Sequence, residues 1–483
     1  MNTHKTSSHP LPQPARRVYC NRTLNMRSIE AIGFDMDYTL IHYRAEAWEQ
    51  AAYEHLRGSL VKQGWPVKKL RFDPDAVILG LVLDLEHGNL VKANRFGFIK
   101  QALHGTKALN FDKRRALYSR SLVDLHEPRW AFLNTLFSMS EACMYAQLVD
   151  LLDKGALAKN MSYAGLHRVV RENLDVAHME GSLKACIMAR PEDYVVLDED
   201  LPLVLQDFKQ AGKKLLLITN SEWSYTQHMM AYAFDHYLPA GQTWRDLFDL
   251  VVVSARKPAF FAGRNPFFKV IDQEGRLLPQ QGALEPGAAY LGGDAGQVEA
   301  HLGLTGEQIL YVGDHIFADV NVSKNLLRWR TALIIRDLED ELEALENNLS
   351  RRDDIAKLME EKEQAEHDMV HMRLELQRHK QDYGPKPKTP PSKLRQKIQS
   401  LKSRIQGIDD KLSPLLKEQG KMHNSQWGLL LRTGNDKSHL ARQIEGNADL
   451  YTSRVSNLGS ITPFGFLRSP RTSLPHDLDK SVN

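Results

Sequence analysis

The ten residues from Ala31 to Leu40 read AIGFDMDYTL, an apolar run that ends at Phe34 and delivers two carboxylates, Asp35 and Asp37, one residue apart. Side chains of a strand alternate between faces, so an extended chain would aim both acids the same way. Like charges that close repel. A fold keeps them only where a cation or a shared proton offsets the repulsion, or where the chain turns and re-aims one of them. Taken alone, the pair also fits a strand that ends in a solvated acidic turn.

Three further runs share the character of the first: Lys214 to Thr219 (KLLLIT), Leu250 to Val253, and Ile309 to Val312 (ILYV); Thr331 to Ile335 makes a fifth. Short, continuous, β-rich runs are what strands buried on both faces of a parallel sheet look like. A Gly/Pro-rich region from Gly263 to Gly293 follows the third run, and helical patterns fill the other gaps. The fold class is therefore α/β, a doubly wound parallel sheet. About 180 residues separate the first run from the second, far more than a βα crossover uses, so a domain is inserted there.

The chain has 483 residues, room for roughly three domains, and 42% hydrophobic with 25% charged residues is an ordinary globular balance. A net charge of +3 does not call for nucleic acid. Three scattered cysteines, Cys20, Cys143 and Cys186, give neither a disulfide framework nor a metal knuckle and fit a reducing compartment. No run reaches the ~18 apolar residues of a membrane span, and the opening MNTHKTSSHPLPQPARR lacks an apolar signal segment. The expectation is a cytoplasmic protein whose residues 1–17 form a disordered leader.

The divisions that follow are a core at 18–44 and 190–338, an inserted and mainly helical cap at 45–189, a helical hairpin at 339–424, and a C-terminal segment at 425–483 that packs on the core and ends in a disordered tail. Within the insert, Leu117 to Asp153 and Tyr163 to Asn173 read as helices. Residues 339–380 contain no Gly or Pro and suit one long helix, which DYGPKPKTPPS breaks. In the second helix Leu394, Ile398, Leu401, Ile405, Ile408, Leu412 and Leu415 recur at spacings of four and three, a heptad seam. Residues 385–424 carry ten Lys/Arg against three Asp/Glu, yet no aromatic interleaves them, which favours a solvated face over a nucleic-acid surface.

Each buried run ends in polar residues of a particular kind. After the first come Asp35 and Asp37, after the second Thr219-Asn220-Ser221, after the third Arg256-Lys257-Pro258, and after the fourth Gly313-Asp314 with Asp319 five residues on. In an open α/β sheet the carboxyl ends of the strands line one crevice, so these groups converge. Four acids, a hydroxyl and a lysine suit a hard divalent cation and a phosphoryl group, and Mg²⁺ favours one or two carboxylates plus substrate oxygens. An Asp can attack phosphorus, and a second Asp can protonate the leaving alkoxide.

With those motifs in place, the order D-x-D-x-T, T-N-S, K-P and G-D-x₄-D resembles the haloacid dehalogenase superfamily. More closely, GFDMDYTL, LGLVLD, HGNLVK, FLNTLF, ARKPAFF, LYVGDHIFADV and ADLY resemble the cytosolic purine 5′-nucleotidases that prefer IMP and GMP. The similarity runs from about Val18 to the region of Phe464. It is weakest at Gln273 to Pro286 and in the hairpin.

The resemblance implies that Asp35 is nucleophile and Mg²⁺ ligand, and that Asp37 is acid/base and offers the metal its carbonyl. It implies that Thr219 and Asn220 bind phosphate, that Lys257 steadies Asp35 and the transferring group, that Asp314 ligates Mg²⁺, and that Asp319 orients Lys257 or a water at the metal. It also assigns the nucleotide to Arg171, Asp175, His178 and Lys184, in the spacing R-x₃-D-x₂-H-x₅-K. Thr106 and Lys107, after His104-Gly105, stand where the resemblance expects base-contacting residues, and so are expected to alter the base pocket. It further implies a purine nucleoside monophosphate substrate, phosphoryl transfer to a second nucleoside, and a homo-oligomer, dimer or tetramer. Two other readings fit the sequence: the same chemistry on another phosphomonoester, and a phosphate-sensing scaffold without catalysis. Intact Asp35, Asp37, Lys257 and Asp314 argue against the scaffold.

Overall fold

The computed structural model describes residues 11–158, 160–179, 181–386 and 388–470, with the backbone alone for 177–179. Two compact units are present, residues 1–339 with 430–483, and residues 340–429.

In chain order the strands of the two larger sheets of the first unit are β1 (Tyr19–Cys20), β2 (Ala31–Phe34), β3 (Val82–Asp84), β4 (Asn89–Ala93), β5 (Ile99–His104), β6 (Lys107–Ala108), β7 (Trp130–Phe132), β8 (Lys214–Ile218), β9 (Leu250–Val253), β10 (Phe267–Val270), β11 (Leu277–Pro279), β12 (Ala289–Gly292), β13 (Ile309–Gly313), β14 (Arg330–Ile334) and β15 (Leu450–Thr452). A ten-stranded sheet runs β1-β15-β14-β13-β2-β8-β9-β12-β10-β11. From β15 to β12 every pairing is parallel, and β2 lies in the middle, between β13 and β8. Every residue of β2 and β9 is buried, as the continuous apolar runs require. Antiparallel strands close both ends of the sheet, β1 beside β15 and the pair β10–β11 beside β12. These edge strands lie outside the five runs read from the sequence, because short edge segments carry little apolar signal.

β15 belongs to ADLY, so the C-terminal segment adds a parallel strand to β14. The same segment orders part of the expected leader. Ser453 Oγ donates to the Ala15 carbonyl at 3.0 Å and Thr452 Oγ1 to that of Arg17 at 3.0 Å, and Pro14–Arg16 form a 3₁₀ turn with Ala15 buried. Residues 11–17 are therefore structured, contrary to expectation; the expected disorder of residues 1–10 and of the tail beyond 470 lies outside the described residues.

The insert holds helices α1 (Ala45–Lys62), α2 (Met139–Asp153), α3 (Tyr163–Met179) and α4 (Ser182–Ala189) together with a five-stranded antiparallel sheet, β6-β5-β4-β3-β7. The expected helix from Leu117 is a correction. Leu117 and Tyr118 end a short helix, Phe111–Tyr118; a loop and then β7, which pairs with β3, follow, and helix resumes with a 3₁₀ turn at Leu136–Ser138 that leads into α2 at Met139. The Asp124 side chain accepting from the His126 N–H at 3.0 Å, followed by Pro128, explains why helix cannot propagate there.

The expected single helix over 339–380 is two, α5 (Leu338–Glu346) and α6 (Leu349–Gln381). Asn347 and Asn348 separate them: the Asn348 amide donates to the Ala344 carbonyl at 2.7 Å, the local competition that makes Asn a weak helix former. In the second unit α6 packs on α7 (Pro391–Gln419), burying Leu394, Ile398, Ile408 and Leu412 of the heptad seam. Lys362 reaches Asp409 at 2.6 Å across that hairpin.

Candidate active site

Beyond Phe34 the β2 ladder continues one residue, with the Asp35 N–H donating to the Val312 carbonyl at 2.9 Å, and then the chain turns. The Met36 carbonyl accepts from the N–H groups of Thr39, Leu40 and Ile41, and Tyr38 adopts a left-handed φ of 55°. The turn re-aims the second acid. Asp35 points to the sheet rim, while Asp37 accepts from Tyr43 Oη at 2.6 Å on one oxygen and from Ser221 Oγ at 2.6 Å on the other.

At that rim Lys257 Nζ lies 2.7 Å from Asp35 Oδ1 and 2.7 Å from Asp319 Oδ1, all three side chains being buried. Carboxylate oxygens of Asp35, Asp314 and Asp319 lie within 4.8 Å of one another. Burial pushes Asp35 up, Lys257 pulls it back, and the balance stands at about 7. Burial, then the charges of Asp35 and Asp319, hold Asp314 well above the usual carboxylate range. Burial acts to lower the Lys257 pKa, but Asp319 and Asp35 outweigh it and the ammonium stays charged far into alkali. When ionised, three carboxylates against one ammonium leave two negative charges in a dry site. That hard-oxygen donor set fits a divalent cation.

Two glycines make the geometry possible. A Cβ on Gly313 would stand 2.6 Å from Asp319 Cγ, so only glycine lets Asp319 fold back onto the strand end. A Cβ on Gly33 would stand 2.8 Å from the Tyr311 ring. Tyr311 Oη accepts from Lys257 Nζ at 3.0 Å and donates to the Ile218 carbonyl at 2.9 Å, which pins the lysine from beneath.

Of the residues expected to bind phosphate, Thr219 is fully buried and its Oγ1 accepts from the Ser221 N–H at 3.1 Å. The Asn220 amide is engaged on both sides by the Lys257 backbone, accepting from its N–H at 2.6 Å and donating to its carbonyl at 3.1 Å. Its side chain thus holds the lysine loop.

A cavity of about 910 Å³ opens on this rim, with Asp37, Asn220 and Ser221 from the sheet loops and Arg171, Asp175 and Lys184 from the insert among its lining residues. Trp48, Trp130, Phe132 and Phe137 supply aromatic wall. Lys184 Nζ lies 2.6 Å from Glu222 and donates to Ser221 Oγ at 3.3 Å. The His178 side chain lies outside the described residues. Thr106 and Lys107 do not line the cavity: Thr106 Oγ1 donates to Asp150 at 2.6 Å, and Lys107 is exposed in β6. Their expected influence on the base pocket is corrected accordingly, because the hairpin that carries them packs along α2. Phe137, Tyr43, Ser221, Tyr311 and Thr135, whose Oγ1 donates to Asp314 at 3.1 Å, were missed. Ser221 stands in the Thr219-Asn220-Ser221 run, Thr135 and Phe137 in FLNTLF, and Tyr311 is an aromatic in an otherwise aliphatic strand, but no pattern in the sequence assigned any of them a role.

A buried carboxylate after the central strand, with a lysine and two further acids on neighbouring strand ends, gives the carboxyl rim of a parallel α/β sheet the groups that suit a phosphoric monoester hydrolase. The chain belongs to the 5′ nucleotidase family, whose profile matches residues 18–479. It is 27% identical to a 5′-nucleotidase domain-containing protein of Dictyostelium discoideum over 479 residues, 97% of this chain and 76% of that one. Among solved structures, CbbY from Rhodobacter sphaeroides in complex with phosphate is 15% identical at a TM-score of 0.25, covering 63% of this chain and 86% of that one. A HAD phosphatase from Thermococcus onnurineus is 14% identical at a TM-score of 0.24, covering 64% of this chain and 87% of that one. No helix among the described residues is long and apolar enough to cross a membrane.

Proposed function

We propose that the protein is a Mg²⁺-dependent 5′-nucleotidase that hydrolyses purine nucleoside 5′-monophosphates of the IMP and GMP type through an aspartyl-phosphate. The observation that carries the reading is a single rim where Asp35, Lys257, Asp314 and Asp319 gather, next to a nucleotide-sized cavity whose wall includes Asp37, Asn220, Ser221 and His315 from the same loops. About 910 Å³ lies within the usual range for small-molecule sites of ~300–1,000 Å³.

Asp35 Oδ attacks phosphorus, the bond from phosphorus to the sugar oxygen breaks, and Asp37 gives that oxygen its proton. Water then attacks the aspartyl-phosphate, Asp37 takes the water proton, and the bond to Asp35 breaks to release phosphate. Asp35 and Asp314, with the Asp37 carbonyl, would hold the cation. When bound, Mg²⁺ supplies charge that keeps Asp35 ionised and offsets the charge on the phosphoryl oxygens. Lys257 does the same with its ammonium, and Asp319 and Tyr311 aim it. Asn220 acts by fixing the Lys257 loop, and Thr219 by shaping the turn that presents Ser221.

Arg171 and Asp175 offer a donor and an acceptor to the edge of a hypoxanthine or guanine ring, and the aromatic wall offers its faces. Because an aspartyl-phosphate can be attacked by any well-placed hydroxyl, transfer to a second nucleoside follows from the same chemistry. An Asp35→Asn variant that stays folded is expected to release no phosphate from IMP, and EDTA is expected to stop the wild-type enzyme until Mg²⁺ is restored. A panel of nucleotides and sugar phosphates tests the substrate class; comparable kcat/KM on a sugar phosphate would overturn the purine assignment.

A further inference from the structure

We infer that Tyr43 and Ser221 are positioning residues for Asp37, gripping its two oxygens from opposite sides, and that Tyr43 ties this grip to the hinge of the insert. The inference rests on Asp37 being the acid/base.

Tyr43 Oη donates to Asp37 Oδ1 at 2.6 Å from the protein side: Tyr43 is 1% exposed, and its hydroxyl also meets Tyr225 Oη at 3.0 Å, itself fully buried. Tyr43 is not among the residues lining the cavity, whereas Ser221 is. Ser221 Oγ donates to Asp37 Oδ2 at 2.6 Å and accepts from Lys184 Nζ at 3.3 Å. The two grips differ in kind. A hydroxyl locked in the core holds Oδ1 at all times, so the carboxyl plane is set before substrate enters. On the cavity side a serine hydroxyl can rotate, so Oδ2 can exchange its serine partner for the leaving oxygen and carry the proton delivered there.

Tyr43 is also placed where the insert joins the core. His42 and Tyr43 form a two-residue antiparallel ladder with Val195 and Val196, Tyr43 opposite Val195, so the chain leaves for the insert and returns from it beside this tyrosine. The acid is therefore oriented by the hinge, and Ser221 links it by one further hydrogen bond to Lys184 on α4, inside the insert. Positioning of this kind matters because general acid help, typically about 10²–10⁴ in rate, falls off quickly when the donor is misaligned.

The test compares inosine 5′-monophosphate with its analogue in which sulfur replaces the bridging 5′ oxygen. An alkoxide must be protonated as it leaves. A thiol, with a pKa near ~8.5, departs as the thiolate without that help. The readout is kcat/KM, which runs only to departure of the nucleoside and is blind to the later step in which Asp37 acts as base. In Tyr43→Phe the oxygen ester is expected to lose about 10- to 100-fold in kcat/KM, while the sulfur ester stays within about threefold. Equal loss on both esters, or no loss on the oxygen ester, overturns the inference. Ser221→Ala, on the cavity wall, carries the same test if Tyr43→Phe does not fold. Asp37→Asn separates the two levels. Selective oxygen-ester loss there with none in Tyr43→Phe sinks the positioning role alone, and absence of selectivity in Asp37→Asn sinks the acid assignment itself.

Discussion

Replacing Lys257 by methionine removes the one ammonium that touches both Asp35 and Asp319, at 2.7 Å each, and leaves a side chain of similar length. At an effective dielectric of ~20, each contact is worth about 6 kcal/mol gross. Most of that is offset by the cost of burying three ions, and losing one partner of a buried pair costs a net ~3–5 kcal/mol. The cost depends on pH, and the direction is fixed by the acids. Lys257 lowers both Asp35, which stands at about 7, and Asp314, so without it the folded-state pKa of each rises further above its unfolded value. An acid raised on folding contributes its stability below the unfolded pKa and loses it as pH rises through the folded one. Urea unfolding in EDTA is thus expected to show a variant only modestly weaker than wild type at pH 6. At pH 8 the gap should widen by up to about 1.4 kcal/mol per pH unit for each extra proton the native state holds. Phosphate release at saturating Mg²⁺ should fall at least ~10²–10³-fold. Equal stability deficits at the two pH values, or more than a tenth of wild-type activity, would refute the placement of Lys257 between the acids.

Gly313→Ala puts a methyl 2.6 Å from Asp319 Cγ, so Asp319 must swing away from Lys257; about 1–3 kcal/mol of stability and ~10²-fold in kcat should go, checked by unfolding and phosphate release. Glu49 in α1 is fully buried, accepts from the Ser140 N–H at 2.7 Å, and is pushed up to about 7 by burial, so the native state prefers it protonated. Its stability is complete below pH ~4.5 and is lost as pH rises towards 7, a deficit of about 3 kcal/mol at pH 8. Glu49→Gln should remove that dependence, and a stability profile between pH 5 and 8 that matches wild type would contradict it.

The parallel sheet was legible because strands buried on both faces leave no room for polar residues. Runs such as LVVV at Leu250 to Val253 therefore announce themselves without any partner in view. The acids and the lysine were legible for a related reason: polar residues that follow such runs must sit at the sheet rim. The sheet of the insert was not legible. Its strands are short and paired only with one another, and β7 follows a turn that looks helical by periodicity. Nor could the sequence tell that Thr106 and Lys107 fall on a hairpin along α2 rather than on the cavity wall.

What the chain alone determined is the inventory and its order: five buried runs, and after four of them the groups of a phosphoryl-transfer site, since burial and strand polarity act residue by residue along the sequence. What only the tertiary structure decided is which of those groups touch. The left-handed turn at Tyr38 parts Asp37 from Asp35, Gly313 admits Asp319 to Lys257, and Ser221 meets Asp37 from 184 residues away. Contacts a few ångströms long between residues tens or hundreds apart depend on how β2, β8, β9 and β13 lie side by side, and no local pattern encodes that distance.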